Sequence, residues 1–396
     1  VVFFIDIILL NSSVMKVKKS FEEINAKILK GEAVVMTAEE VSAMSKDYSA
    51  ADIVKKVDIV TTATFGPMCS SGMFMNVGHS NPPIRMERVT LNNVPAHSGI
   101  AAVDLYVGAT EENPFDEKYG GAHVIEALIA GKDVRLKASA KGSDCYPETE
   151  IETIINKSVV NEMIMFNPRN AYQNYPCAVN TSGRMIYTYM GSLLPNVGNA
   201  TFSTSGELSP LLNDPDMRTI GIGTRLFLCG AQGYVSWYGT QFKTSGPKNE
   251  YGIPETNAAT LAVIGNAKEM STDYLKAAYF EKYGVSIFIG IGIPVPVLDE
   301  DMAHRVSIRN DQITTTVCDY SKADHPAVAK VRYDELFSGN ITLDGKKVRT
   351  ASMSSVAKAR IIAAELKKWI EAKSFQLTRP VEAFPTATTL NSLERK

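Results

Sequence analysis

VTTATFGPMCSSGMFMNVGHSNPPIRM, residues 60–86, decides the reading of the chain. The β-branched run Ile59 to Thr64 is a strand signal, Gly66-Pro67 interrupts it, and Cys69 follows at once among small residues and glycines. Pro at a first helical position with small polar residues behind it predicts a helix beginning near Cys69, whose unpaired N–H groups would favour a thiolate. A buried structural cysteine is the competing reading, since free Cys is among the most buried residue types.

Upstream, Ser20-Phe21-Glu22-Glu23 and Thr37 to Glu40 are capping boxes, and Ser49 with Asp52 three residues on is a third helix start. A β-like stretch, Ala33 to Met36, lies between the first two, and the Asp58 to Thr64 strand follows the third. This alternation predicts an α/β fold: mixed sheets flanked by helices, as one unit or in two lobes, with the active site in loops at strand ends.

Downstream, strands are expected at Arg88 to Leu91, Ala101 to Val107 and Val134 to Ala138, with a helix at His123 to Ala130. The last strand leads into ASAKGSDCYP, residues 138–147, so Cys145 repeats the context of Cys69. Pairing of the two strands in one sheet would bring both thiols to one rim. Strands are expected again at Met185 to Met190 and Thr224 to Leu228. A strand plus an amphipathic helix should fill 259–282, and a buried strand Val285 to Ile293 should be broken by Gly290, Gly292, Pro294 and Pro296. A hairpin with an Asp-Gly turn at Ile341 to Arg349 and a helix from Ser354 to Lys373 complete the reading.

The charge balance is near neutral, −2 over 396 residues, which removes the electrostatic case for nucleic acid or an anionic membrane. Five widely spaced cysteines (69, 145, 177, 229, 318) contain no C-x-x-C pair, and the five histidines contain no H-x-x-x-H. Neither a disulfide framework nor a metal or iron–sulfur site is indicated, and the thiols suit a reducing cytoplasm. The glycine-rich 221–225 and 230–233 would let backbone approach a ligand but match no nucleotide fingerprint. Val1 to Leu10 is apolar but too short to span a bilayer; residues 1–14 read as a leader outside the fold, 15–380 as one catalytic unit and 381–396 as a tail.

The start KSFEEINAKI (19–28), the segment TFGPMCSSG around Cys69, GSDCYP around Cys145 and the closing helix together resemble the homocysteine biosynthesis family of methanogens and anaerobic bacteria. The resemblance spans roughly 18–385. It implies a sulfurtransferase that makes L-homocysteine from L-aspartate semialdehyde and sulfide, with electrons from a ferredoxin-like iron–sulfur protein and no cofactor held by the chain itself. The family's two functional cysteines fall on Cys69 and Cys145. The C-terminal CBS domains of the archaeal form are not found here, and homo-oligomerisation is left open.

The chemistry sets roles. Sulfide addition, loss of water and a two-electron reduction call for a sulfur-bearing or attacking thiolate, assigned to Cys69, and a resolving or supporting thiol, assigned to Cys145. His79 is the candidate acid or base. Arg85, Arg184 and Arg225 are candidates for the substrate carboxylate, and Lys141 and Asp144 for tuning Cys145. Two rival classes use the same residues differently: a cysteine hydrolase or acyltransferase built on Cys69 and His79, and a non-catalytic binding protein.

Overall fold

The computed structural model describes residues 17–394; the leader reading of 1–14 lies outside them. The strand Ile59–Pro67 is where the sequence places it, with every residue before Pro67 buried. It pairs antiparallel with Gly284–Pro296, from Ile59 opposite Pro296 to Pro67 opposite Phe288, and its first three residues pair in parallel with Val35–Thr37. β-branched side chains covered on both faces favour this pleated conformation.

These strands belong to a ten-stranded mixed sheet. Its hydrogen-bonded path runs 35–37, 59–67, 284–296, 225–228, 231–238, 261–266, 162–170, 72–76 and 104–108, with 275–280 paired to residues 284–289. The strands 59–67 and 72–76, consecutive in sequence, are six places apart in that order. Six flat inter-strand steps would cover about 29 Å, whereas the link from Pro67 to Gly72 can reach at most about 18 Å. The sheet therefore coils until its two ends meet at residues 68–71. The helix Gly121–Ile129 packs there on strands from both ends, 275–280 and 284–296 on one side and 72–76 and 104–108 on the other. Its Glu126 accepts from Ala277 N (2.7 Å) and pairs with Lys276 (2.5 Å).

The helix predicted after Cys69 is absent. Residues 68–71 form a turn closed by Ser71 N donating to Met68 O (3.0 Å), and the chain re-enters a strand at Gly72. The amphipathic helix expected within 259–282 is also replaced: Leu261–Asn266 and Leu275–Phe280 are both strands, the second held by its ladder to 284–289. Cross-strand pairing there outweighs a weak local helical pattern.

The expected break at the 290–296 glycines and prolines does not occur, because the strand continues to Pro296. A Cβ on Gly290 would lie 2.8 Å from Ile362 Cδ1 and 2.8 Å from Tyr274 O, so the glycine is the seat of the helix Val356–Glu371. Among the described residues, only the 59–67 strand pairs with this one beyond Gly292, and the prolines' missing N–H groups are tolerated on the other side.

The helix starts are as read. Ser20 and Thr37 make both capping-box bonds, Ser49 accepts from Asp52 N, and Ser355 caps the closing helix, which buries Ile362, Leu366 and Ile370. Asp58 accepts from Lys19 (2.8 Å), Lys27 (2.7 Å) and Val34 N (3.0 Å), tying the first helix to the start of the 59–67 strand. The Asp344-Gly345 turn joins Asn340–Leu343 to Lys346–Ser352.

Two further sheets flank the main one. Residues 150–155, 134–139, 88–91 and 94–96 form a four-stranded sheet inserted between the main-sheet strands 72–76 and 162–170. Strands 327–332, 314–319, 177–179, 199–202, 346–352 and 340–343 form a six-stranded sheet with its own core around Phe202 and Tyr333. Cys69 thus belongs to the main sheet and Cys145 to the tip of the 134–139/150–155 hairpin, so the expectation of one shared sheet is corrected.

Replacing Gly290 with Ala should destabilise the protein by about 1–3 kcal/mol through overpacking. Chemical denaturation of the two proteins tests this; equal midpoints would contradict the close helix-on-strand contact.

Candidate active site

Cys69 sits on the turn where the coiled sheet closes, and hydrogen bonds hold that turn from both sides. Met68 N donates to Ile287 O (2.7 Å) on one end of the sheet, and Ala109 N donates to Ser71 O (2.8 Å) on the other. Beneath it, the fully buried Asn167 donates through Nδ2 to Ser71 Oγ (2.8 Å), while Ser71 Oγ donates to Met68 O (2.7 Å). Asn167 lies at the irregularity of the 162–170 strand, where the ladder register shifts. The thiol is exposed although its neighbours Met68 and Ser71 are buried.

Two recesses meet at this cysteine. An open depression of about 330 Å³ is lined by Cys69, Ser70, Thr110, Glu112, Tyr283, Gly284 and Val285. On the inner side lies a small cavity of about 70 Å³, bounded by Thr64, Met68 and Cys69, the tyrosines 172, 175, 189 and 283, and the hydroxyls of Ser203, Thr204, Ser209, Ser286 and Ser354. Its size fits a small metabolite. A larger groove, about 760 Å³, runs over the four-stranded sheet past Glu87, Lys137 and Glu152 and contains neither exposed cysteine.

The cavity wall is rich in phenols. Burial, with the Cys69 thiol beside it, pushes the Tyr283 phenol up to about 12. Burial also raises Tyr172, opposed by the Arg169 guanidinium and reinforced by Cys69. Tyr175 donates to Tyr189 (2.9 Å), and Tyr189 shares a hydrogen bond with Tyr320 (3.0 Å). Ser286 Oγ is buried and has no hydrogen-bond partner among the described residues, and the residue lines the cavity. A buried hydroxyl left unpaired carries a cost that a bound polar ligand would relieve.

The other predicted residues lie elsewhere. Cys145 is exposed on the 140–149 loop, held by Tyr146 N and Ser143 N each donating to the other residue's carbonyl (3.0 and 2.8 Å). His79 stacks on Tyr146 (6.2 Å between ring centroids) and lines neither recess at Cys69, so it accompanies Cys145. Lys141 and Asp144 are exposed on the same loop. Arg85 and Arg184 are exposed and line neither recess. Arg225 donates to Gln376 O (3.3 Å) and lies over the Tyr234 and Phe375 rings, also away from Cys69. The glycines at 221–223 approach the chain's own residues 380–382 rather than a ligand, with Val381 N donating to Ile222 O (2.8 Å).

Arg169 is the arginine the sequence reading missed. It neighbours Tyr172, donates through Nε to Thr240 Oγ1 (3.0 Å), and makes no ion pair among the described residues. Among those residues there is also no group of three or more side chains suited to hold a metal, and no helix long and apolar enough to cross a membrane.

A family model described as "Homocysteine biosynthesis enzyme, sulfur-incorporation" matches residues 33–377. The chain belongs to this family. It is 46% identical over 382 residues to the L-aspartate semialdehyde sulfurtransferase of Methanosarcina acetivorans, covering 96% of this chain and 74% of that protein. It is likewise 46% identical over 389 residues to the enzyme of the same name from Methanocaldococcus jannaschii, covering 94% and 74%. A more distant relative, an uncharacterized protein of Methanothermobacter thermautotrophicus, is 27% identical over 329 residues, covering 81% and 72%. No solved structure matches the chain. Membership in the homocysteine biosynthesis family agrees with the resemblance read from the cysteine segments and makes the chain a sulfur-incorporating enzyme.

Burial divides the thiols. It pushes Cys177 and Cys229 up to about 12 and raises Cys318, whereas Cys69 and Cys145 are exposed. Brief treatment of the folded protein with iodoacetamide at pH 8, followed by peptide mass spectrometry, should label positions 69 and 145 and leave 177, 229 and 318 unmodified. Uniform labelling of all five would contradict this placement.

Proposed function

We propose that this chain converts L-aspartate semialdehyde and sulfide to L-homocysteine, with Cys69 as the thiol at which sulfur meets the aldehyde. The observation that carries the proposal is an exposed cysteine at the junction of an open depression and a small hydroxyl-lined cavity, in a sulfur-incorporating family. The net change is balanced: aldehyde, hydrogen sulfide, two electrons and two protons give a thiol and water. The carbon substrate occupies the inner cavity, and sulfur reaches Cys69 from the open side.

Cys145 serves as the supporting thiol, carried on the outer hairpin apart from the two recesses at Cys69. The electrons come from a separate low-potential iron–sulfur protein of the ferredoxin type, since the chain has no cluster motif. Free thiols at all five positions suit a reducing cytoplasm. The turn that carries Cys69 is not a helix N-terminus, and Tyr283 stands beside the thiol. The hydrolase alternative loses its base, because His79 stacks on the Cys145 loop.

For the substrate carboxylate, Arg169 takes the part first assigned to Arg85, Arg184 or Arg225. It lines neither recess itself but adjoins Tyr172, which does line the inner cavity, and it makes no ion pair with a carboxylate among the described residues. A guanidinium–carboxylate contact contributes about 1.5–3 kcal/mol. The Arg169→Met variant should therefore raise KM for L-aspartate semialdehyde about 10- to 100-fold, while propanal, which lacks the carboxylate, should be turned over as by the parent protein. Equal KM changes for both aldehydes would remove Arg169 from this role.

The central test is mass spectrometry of products from L-aspartate semialdehyde, sulfide and a low-potential reductant. Homocysteine should form with the parent protein and be abolished in Cys69→Ser, with Cys145→Ser impaired. Full activity in Cys69→Ser would move the active site elsewhere.

A further inference from the structure

The cavity beside Cys69 is connected outward by a line of phenols that the sulfur chemistry has not yet used. Tyr189 lines the cavity and stands at the centre of a three-hydroxyl chain. Tyr175 donates to it from one side (2.9 Å), and Tyr320 shares a hydrogen bond with it from the other (3.0 Å). Tyr320 does not line the cavity; it belongs to the end of the 314–319 strand and stacks on the exposed His325 (4.2 Å, 10° between planes). The Tyr189 ring also meets the Tyr283 ring edge-on (6.1 Å), next to Cys69.

We propose that Tyr189 is the general acid that protonates the aldehyde oxygen during sulfur addition, and that Tyr320 resupplies its proton from the His325 face. This rests on the proposed function above. Each turnover draws two protons from solvent, while the reacting carbon lies in a cavity too small to hold bulk water as well as substrate. As the carbon–sulfur bond forms, the C=O π pair moves onto oxygen, and that oxygen takes the Tyr189 proton. Tyr189 then takes a proton from Tyr320, which takes one from surface water. No electrons are exchanged in this step. The two electrons enter later, from the iron–sulfur donor. The Tyr175 hydroxyl, donating to Tyr189, stabilises the transient phenolate. Burial raises all three phenols, which keeps the chain protonated at neutral pH but makes each a weaker acid, and the Tyr175 hydrogen bond offsets this at Tyr189.

The test uses Tyr189→Phe, Tyr320→Phe and the double variant, all of which keep the rings and so the shape of the wall. A general acid contributes about 100- to 10,000-fold to rate. Tyr189→Phe should accordingly lower kcat at least about 100-fold. Tyr320→Phe should lower kcat about tenfold, a smaller loss because the acid itself remains, with KM unchanged and a larger solvent deuterium isotope effect on kcat. Because the two act in series, the double variant should be no slower than Tyr189→Phe alone. Parent kcat and isotope effect in Tyr320→Phe, a change confined to KM, or losses that multiply in the double variant would each overturn the relay. Failure of the parent protein to form homocysteine at all would overturn the reading of the site, and with it the step the relay serves.

Discussion

Four residues between Pro67 and Gly72 set the shape of the molecule. They join strands that lie six places apart in the main sheet, so the sheet must coil until its ends meet. The rest follows from that closure. The helix Gly121–Ile129 fills the seam, with Gly121 so close to Gly108 O that no Cβ fits between them. The helix Val356–Glu371 lies across glycines in the 284–296 strand. The link buries Met68 and Ser71 and presents Cys69 outward.

Closure also explains the composition of the cavity. Its wall is assembled from segments around residues 64–69, 171–175, 189–190, 203–210, 280–286 and 354. Those segments meet only because the coiled sheet and the six-stranded sheet converge near the same turn. Among the described residues the wall is mostly hydroxyl-bearing, with no carboxylate and no ammonium group. Neutral donors in a buried site can stabilise an oxygen that gains charge during reaction without fixing a permanent charge against the thiol.

Much of the fold was legible in local sequence. Capping boxes at Ser20 and Thr37, the 59–67 strand, the Asp344-Gly345 hairpin and the face of the closing helix are encoded by near neighbours, and the structure has them. What depended on distant partners was misread. Leu275–Phe280 has a weak helical pattern, but its hairpin partner makes it a strand, and Gly290 looks like a breaker until Ile362 is seen above it. Pro67 resembles a helix start, yet residues 68–71 are fixed by Ile287 and Ala109 from opposite ends of the sheet. Cys69 and Cys145 could be picked out because small polar loops announce exposed thiols. Their surroundings could not: Asn167, Arg169, Ser286 and the tyrosines come from segments far along the chain, and nothing local marks them as neighbours of Cys69.

The two exposed thiols stand on loops with very different tolerance for change. An extra residue between 68 and 71 would have to be accommodated in a link bonded to both ends of the sheet, so its length is bound to the geometry of the whole coil. The 140–149 loop closes only a hairpin of the smaller sheet, and lengthening a surface loop costs little. Sequence drift can therefore reshape the surface around Cys145 while the cavity beside Cys69 keeps its form.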